Sequence, residues 1–142
     1  MYRTLNILIF LLLFCRIQSA FAQGDKDKIE ALRVSFITKK VELSNSESEK
    51  FWPLYNEYND KIKAIKKNLK QSFRKSPETL TDKEAEELYQ LDIKSKQAEV
   101  DIHKLYSEKI KTIIGAKKYI KLRNAEEEFK REIINSIKDK SD

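Results

Sequence analysis

Apolar residues recur along this chain at steps of three and four residues, the spacing that places side chains on one face of an α-helix. The spacing predicts four helices: one of about 15 residues that includes Ile37, and three more at about 44–74, 81–114 and 116–138. No stretch alternates between apolar and polar residues as a half-buried β-strand does. The chain is therefore predicted to be all-α.

Capping and helix-breaking residues set the limits of these helices. Ser44-Asn45-Ser46-Glu47 and Thr81-Asp82-Lys83-Glu84 each place a glutamate three positions after a hydroxyl residue, which is the capping box that begins a helix. Ser76-Pro77 ends the second helix, and Gly115 separates the third from the fourth. Pro53 lies inside the second helix and removes one backbone hydrogen bond, so we expect a kink there.

Each of the last three helices has one apolar face, here called its seam. The seam of the second helix comprises Phe51, Tyr55, Tyr58, Ile62, Ile65, Leu69 and Phe73. The seam of the third comprises Leu88, Leu91, Ala98, Ile102, Leu105, Ile110 and Ile113. The seam of the fourth comprises Tyr119, Leu122, Phe129, Ile133 and Ile137.

The length of the helices predicts the architecture. A helix of about thirty residues is ~45 Å long, which exceeds what a compact domain of this size needs. We therefore expect an extended four-helix hairpin with hooked ends, and a homodimer in which a second copy covers the exposed seams. An ordinary antiparallel coiled coil is the alternative, and Pro53 and the break at Gly115 argue against it.

Residues 1–22 have the pattern of a cleaved signal peptide. Arg3 precedes an apolar run at 5–15, and Ala20-Phe21-Ala22 is a small-x-small cleavage site. The apolar run is shorter than the ~20 residues that span a bilayer, and a retained membrane anchor is the alternative interpretation. We expect residues 23–142 to form a single domain that is exported to a bacterial periplasm.

Export changes what the composition implies. The 142 residues carry a net charge of +6, and +4 remains once Arg3 and Arg16 are removed with the leader. A basic protein often binds nucleic acid, but export separates this one from it, so anionic membrane surfaces and acidic protein segments are the expected partners. The single cysteine, Cys15, lies in the leader, so packing without disulfides must supply the stability.

Two segments resemble the Leu-Thr-x-x-Gln motif of the Spy and CpxP family of periplasmic stress proteins. The resemblance is greatest to the relatives described as periplasmic heavy-metal sensors or sensors of ECF-type sigma factors. The first segment is Leu43-Ser44-Asn45-Ser46-Glu47, with serine and glutamate in place of threonine and glutamine. The second is Ile114-Gly115-Ala116-Lys117-Lys118, in which glycine and lysine take those places. The residues of the first motif region, for which we expect a structural role, are Leu43, Ser44, Glu47, Phe51, Trp52, Pro53, Tyr55 and Tyr58.

The resemblance implies a cradle-shaped antiparallel dimer whose concave face holds unfolded or membrane-associated proteins without ATP. It also implies an alternative function. In that function the chain is an adaptor that reports envelope stress or heavy metals by binding the periplasmic part of a membrane-bound sigma-factor regulatory system.

Trp52 poses a choice of its own within the motif region. It follows Phe51 directly, so its side chain points about 100° away from the seam. The indole either packs beneath the hooked end of the hairpin or is offered to a partner, and packing is the interpretation we favour.

A run of cations predicts where a client binds. Seven basic residues and no acidic one lie between Lys61 and Lys75. Five of them form a basic face on the second helix, which consists of Lys63, Lys66, Lys67, Lys70 and Arg74. This face lies about 100° from the flanking seam residues, which are Ile62, Ile65, Leu69 and Phe73. We expect the cations to attract acidic clients, and the apolar residues to hold them or to be buried in the dimer; a solvated flank is the alternative.

Metal binding and catalysis have little support in the sequence. His103 is the only histidine, and Glu99, one turn before it, is its best-placed partner. Two ligands are too few for a closed zinc site, so we expect no metal and no cofactor. The sequence contains no phosphate-binding loop and no nucleophile motif, so we do not expect an enzyme.

Overall fold

The computed structural model describes residues 27–138, which are almost entirely helical. Helix α1 covers 27–41, α2 covers Asn45–Ser72, and α3 covers Asp82–Lys138, with a short 3-10 turn at Pro77–Thr79. The described residues contain no strand, so the all-α prediction is confirmed for them. The predicted signal peptide lies outside the described residues.

Both predicted capping boxes begin helices. At the start of α2, Ser44 Oγ accepts from the backbone N–H of Glu47 at 3.2 Å, and Glu47 Oε2 accepts from the backbone N–H of Ser44 at 2.7 Å. Before α3, Thr81 and Glu84 make the same two bonds at 3.3 and 2.9 Å. Each box satisfies backbone donors that have no partner inside the helix, which is why the helices begin at these residues.

The predicted third and fourth helices are joined in α3. Gly115 keeps non-helical dihedrals inside it, with φ at 78° and ψ at 159°. The predicted break is therefore present as a single non-helical residue, at which the helical segments 82–114 and 116–138 meet without a loop. Glycine adopts this backbone region because it lacks a Cβ atom. By contrast, α2 continues through Pro53 and ends at Ser72, near its predicted end.

The chain forms two compact units. The central unit is Glu42–Arg123, and the terminal unit has 27–41 and 124–138 as its described residues. In the terminal unit the rings of Phe36 and Phe129 pack at 5.5 Å between centroids. The apolar residues buried in that unit are Ile37, Val41 and Ala125.

In the central unit α2 and α3 run antiparallel. Lys66 on α2 pairs with Glu99 on α3 at 3.7 Å. Earlier on α2, Tyr58 packs on Tyr106, which is later on α3, at 5.8 Å between ring centroids. Residue numbers thus rise along α2 as they fall along α3, as expected for helices joined by a short connection such as the one that contains Pro77–Thr79.

The predicted seam of α2 is buried to different degrees. Its first two residues, Phe51 and Tyr55, are buried. The next four seam residues are half-buried, namely Tyr58, Ile62, Ile65 and Leu69. Phe73, the last residue of the seam, is 52% exposed. The packing of α2 on α3 therefore loosens towards the connection between them.

The prediction that Leu105 and Ile137 belong to the buried seams of α3 is wrong. Leu105 is 52% exposed, and Ile137 is also exposed. The buried residue beside Leu105 is Tyr106. Its ring can be buried because its hydroxyl donates to the Glu57 carboxylate on α2, whereas a phenol without a partner would lose a hydrogen bond to water. Buried and half-buried positions follow steps of four along this part of α3, at Ala98, Ile102, Tyr106 and Ile110.

Candidate protein-binding site

An aromatic cluster lies at the start of α2. Tyr55 stacks on the buried ring of Phe51 at 5.0 Å, and Trp52 meets the same ring edge-on at 4.9 Å. The indole also meets Tyr55 edge-on at 5.5 Å and is half-buried. Trp52 thus packs against its helical neighbours, while part of its surface stays exposed. Leu43, just before α2, is buried as well.

The two segments that resemble the Leu-Thr-x-x-Gln motif meet in the central unit. Lys118, which ends the second segment, pairs with Glu47, which ends the first, at 2.6 Å. The same ammonium donates to the backbone carbonyl of Glu42 at 2.8 Å, and Lys121 pairs with the Glu42 carboxylate at 2.7 Å. The hydrogen bonds from these lysines lower the pKa of Glu42 and of Glu47. The two departures from the motif are thus complementary, because a charge pair stands where the motif has two glutamines.

Further along, polar side chains connect α2 with α3. Tyr58 Oη lies 3.2 Å from His103 Nδ1, and Ser107 Oγ lies 3.5 Å from Nε2 of the same ring. Tyr106 donates to Glu57, which lowers the pKa of Glu57 and raises the pKa of Tyr106 to about 12. These contacts let polar groups take part in the interface between the helices without being left unsatisfied.

The candidate metal ligands of the sequence have other contacts. Both ring nitrogens of His103 face hydroxyl groups, and the Glu99 carboxylate lies 3.7 Å from the ammonium of Lys66. Within residues 27–138 there is no group of three or more His, Cys, Asp and Glu side chains that could hold a metal ion. His103 and Glu99 therefore each link α3 to α2.

All five residues of the predicted basic face are exposed. Two of them make long ion pairs, Lys63 with Asp60 and Lys66 with Glu99, both at 3.7 Å. Such exposed pairs are weak, so the face keeps most of its positive charge. The other three residues of the basic face, Lys67, Lys70 and Arg74, make no ion pair with any other described residue.

The apolar residues predicted to flank this face are less accessible than expected. Ile62, Ile65 and Leu69 are half-buried, because they share a face of α2 with Tyr58, which packs on α3. A client therefore reaches only part of these side chains. Phe73 alone among the four is largely exposed.

An apolar stripe on α3 lies outside the predicted seam. Tyr89, Ile93 and Val100 are 57%, 47% and 59% exposed. Their steps of four and seven residues place them within about 40° of one another around the helix. We call these three residues the α3 stripe. Their spacing is visible in the sequence, but a prediction that allows one apolar face per helix overlooks it.

The basic face and the α3 stripe border the same side of the central unit. Lys66, at the inner edge of the basic face, reaches Glu99 on α3. Around α3, Glu99 lies next to the buried row of Tyr106, and Tyr89 and Val100 lie about 80–100° further in the same direction. The surface therefore passes from the cations of α2, across Glu99, to the exposed apolar side chains of α3.

No family model matches the chain, and neither a curated protein nor a solved structure does. In the part of the chain that the structure describes, no helix has the length and apolar character needed to cross a membrane.

Proposed function

We propose that this protein is an exported, ATP-independent protein-binding stress protein of the holdase type. It captures unfolded or acidic clients through adjacent basic and apolar helix surfaces. The observation that carries the proposal is the side of the central unit on which the exposed cations of α2 lie beside the exposed α3 stripe. Unfolded proteins expose apolar side chains, and many also carry acidic segments, so a surface with both features contacts both.

The two parts of the surface act at different ranges. Charges attract a client over roughly 8–10 Å at moderate salt, which is the distance at which ions screen them. Apolar side chains act only on contact, where water is displaced. Lys67, Lys70 and Arg74 contribute most to the first step, because no ion pair with a described residue neutralises them.

The resemblance of residues 43–47 and 114–118 to the motif of the Spy and CpxP family supports the same function. The proposal includes a periplasmic location after cleavage at residue 22. It also includes an extended helical hairpin that pairs as a cradle-shaped antiparallel homodimer, so that clients meet basic faces from two copies. Nucleic acid is not a partner in this proposal.

The test is a charge reversal on the basic face. Lys67→Glu, Lys70→Glu and Arg74→Glu together should raise the protein concentration needed to halve the aggregation of a denatured acidic client by about tenfold at low salt. Light scattering measures the aggregation. Far-ultraviolet circular dichroism should show unchanged helicity, because all three side chains are exposed.

The matched control makes the same change in net charge elsewhere. Lys50→Glu, Lys94→Glu and Lys130→Glu alter exposed lysines outside the basic face, so capture should change far less. Equal loss of client capture in both triple variants would show that the effect depends only on net charge, which would contradict a local site. If no variant and no wild-type protein captured a client, the adaptor function would replace the proposal, and a membrane partner would be sought.

A further inference from the structure

A pocket of about 390 Å³ opens where α2 ends and α3 begins. Phe73, Pro77 and Leu80 line it from the connection, and Ala85 and Tyr89 line it from α3. Its volume falls within the ~300–1,000 Å³ range of ligand pockets. It can hold one bulky apolar side chain, but its position at a helix connection leaves it open to solvent on one side.

The aromatic walls of this pocket face water. Phe73 and Tyr89 are each more than half exposed, whereas Phe51 at the other end of α2 is fully buried. Covering exposed aromatic surface with a partner lowers the free energy, because water is displaced from it. The α3 stripe extends the apolar surface from Tyr89 to Ile93 and Val100, so a bound segment could continue along α3 beyond the pocket.

The charged residues that line the pocket are already paired. Lys75 pairs with Glu84 at 2.7 Å, and Asp92 pairs with Lys96 at 2.6 Å. Hydrogen bonds from Lys75 and Thr81 lower the pKa of Glu84 to about 2, so this pair stays charged at neutral pH. An apolar group can therefore enter the pocket without burying an unpaired charge from its lining.

The cations next to the pocket are available to a ligand. Lys70 lies three residues before Phe73, about one turn along α2 and 60° around it, and Arg74 follows Phe73 directly. Both are exposed and make no ion pair with another described residue. The pocket thus has an apolar interior and a cationic edge, which is complementary to an apolar side chain flanked by carboxylates.

We propose that the pocket binds an aromatic or large aliphatic side chain of an acidic polypeptide segment, whose carboxylates contact Lys70 and Arg74. The inference rests on the proposed function, since the pocket would then be the selective part of the client surface. It adds a preference that the basic face alone does not provide. Among acidic segments, those with a bulky apolar residue between the acidic ones bind best.

The test uses a short fluorescein-labelled peptide in which pairs of aspartates flank one tryptophan, titrated with the purified protein and followed by fluorescence anisotropy. A second peptide replaces the tryptophan with alanine. The tryptophan peptide should bind about tenfold more tightly, because one large aromatic side chain in a pocket contributes on that scale. A third peptide with lysines in place of the aspartates should not bind.

Variants assign the preference to the pocket. Tyr89→Ser should bring the ratio between the two acidic peptides close to one, and Phe73→Ser should do the same. Leu105→Ser, at an equally exposed apolar position of α3 outside the pocket, should keep the ratio. The double variant with Lys70→Gln and Arg74→Gln should weaken the binding of both acidic peptides by the same factor. If Phe73→Ser does not fold, Tyr89→Ser still decides, because its side chain lies on the exposed side of α3.

Other outcomes overturn the inference. Equal binding of the two acidic peptides, or a ratio that Tyr89→Ser leaves unchanged, would remove the pocket from recognition. Absence of peptide binding together with a dimer that Tyr89→Ser dissociates would assign the surface to a second copy of the chain. Tyr89-dependent binding to vesicles of phosphatidylglycerol, without peptide binding, would assign it to a membrane.

The inference and the proposed function fail in different measurements. Loss of the tryptophan preference leaves aggregation suppression by the basic face intact. Absence of aggregation suppression, with the tryptophan preference present, would retain the pocket as a peptide site and reject the holdase function.

Discussion

At Glu47 and Lys118, two departures from one motif form a single interaction. In the sequence, lysine at the end of the second segment looks like a loss of the motif. In the structure its ammonium joins the Glu47 carboxylate to the carbonyl of Glu42, whose φ of 59° is uncommon for a residue other than glycine. Helical periodicity reports contacts within a turn or two, so a pair 71 positions apart was not predictable from spacing.

Replacing Lys118 tests this interaction. Lys118→Gln should lower Tm by about 3–6 °C, because it removes the charge pair with Glu47 and one donor to the turn at Glu42. Adding Glu47→Gln should recover part of the loss, since two amides can hydrogen-bond and no carboxylate is left without its partner. Thermal unfolding of both single variants and the double variant measures the coupling. Strictly additive losses would contradict a direct interaction.

At the scale of helices, limits were easier to predict than burial. The limits depend on local signals such as the capping boxes that begin at Ser44 and Thr81, and the structure confirms both. Burial depends on partners elsewhere in the unit. Leu105 is the more apolar residue, but Tyr106 occupies the buried position because Glu57 on α2 accepts its hydroxyl hydrogen. A pattern of apolar residues contains no information about that acceptor.

The break in α3 depends on the backbone of Gly115. Gly115→Ala should destabilise the protein by about 1–3 kcal/mol, because a residue with a Cβ atom is strained at φ 78° and ψ 159° even though open space surrounds the position. Urea unfolding measures the change. Lys117→Ala, at an exposed helical position nearby, is the control and should change stability by less than about 0.5 kcal/mol. Equal stability of Gly115→Ala and the wild type would show that alanine adopts this backbone conformation without strain.

The connection between α2 and α3 should weaken in acid. Hydrogen bonds from Lys75 and from Thr81 together lower the pKa of Glu84 from 4.5 to about 2. These contacts of the ionised Glu84 carboxylate therefore stabilise the folded state above about pH 4.5, and this contribution is lost as the pH falls towards 2. The effect is small and salt-sensitive because both groups are partly exposed.

Substitution of Glu84 tests the combined contribution of these contacts. Glu84→Gln should reduce the loss of Tm between pH 5 and pH 3 relative to the wild type. Glu86→Gln, at an exposed position on the same helix, should show the same loss of Tm as the wild type. A pH dependence that is the same in the wild type and in Glu84→Gln would contradict the role of the Glu84 contacts.

At the scale of the whole molecule, the sequence predicted half of the candidate surface. The basic face was predictable because charged side chains on one side of a helix have no alternative to exposure unless they are paired. The α3 stripe was not, because Tyr89, Ile93 and Val100 belong to a second apolar face on a helix whose first face is already buried. Only the packing of α2 on α3 shows which of the two faces remains open.

We propose that this surface holds unfolded protein through charge and apolar contact together. The most direct measurement dilutes a chemically denatured acidic client into buffer that contains the purified protein at a near-stoichiometric ratio without ATP, at low and at high salt, and follows light scattering. We expect suppression of aggregation that weakens as salt rises and screens the basic face. Absence of suppression by a sample that circular dichroism shows to be folded and helical, or suppression that salt leaves unchanged, would contradict this proposal.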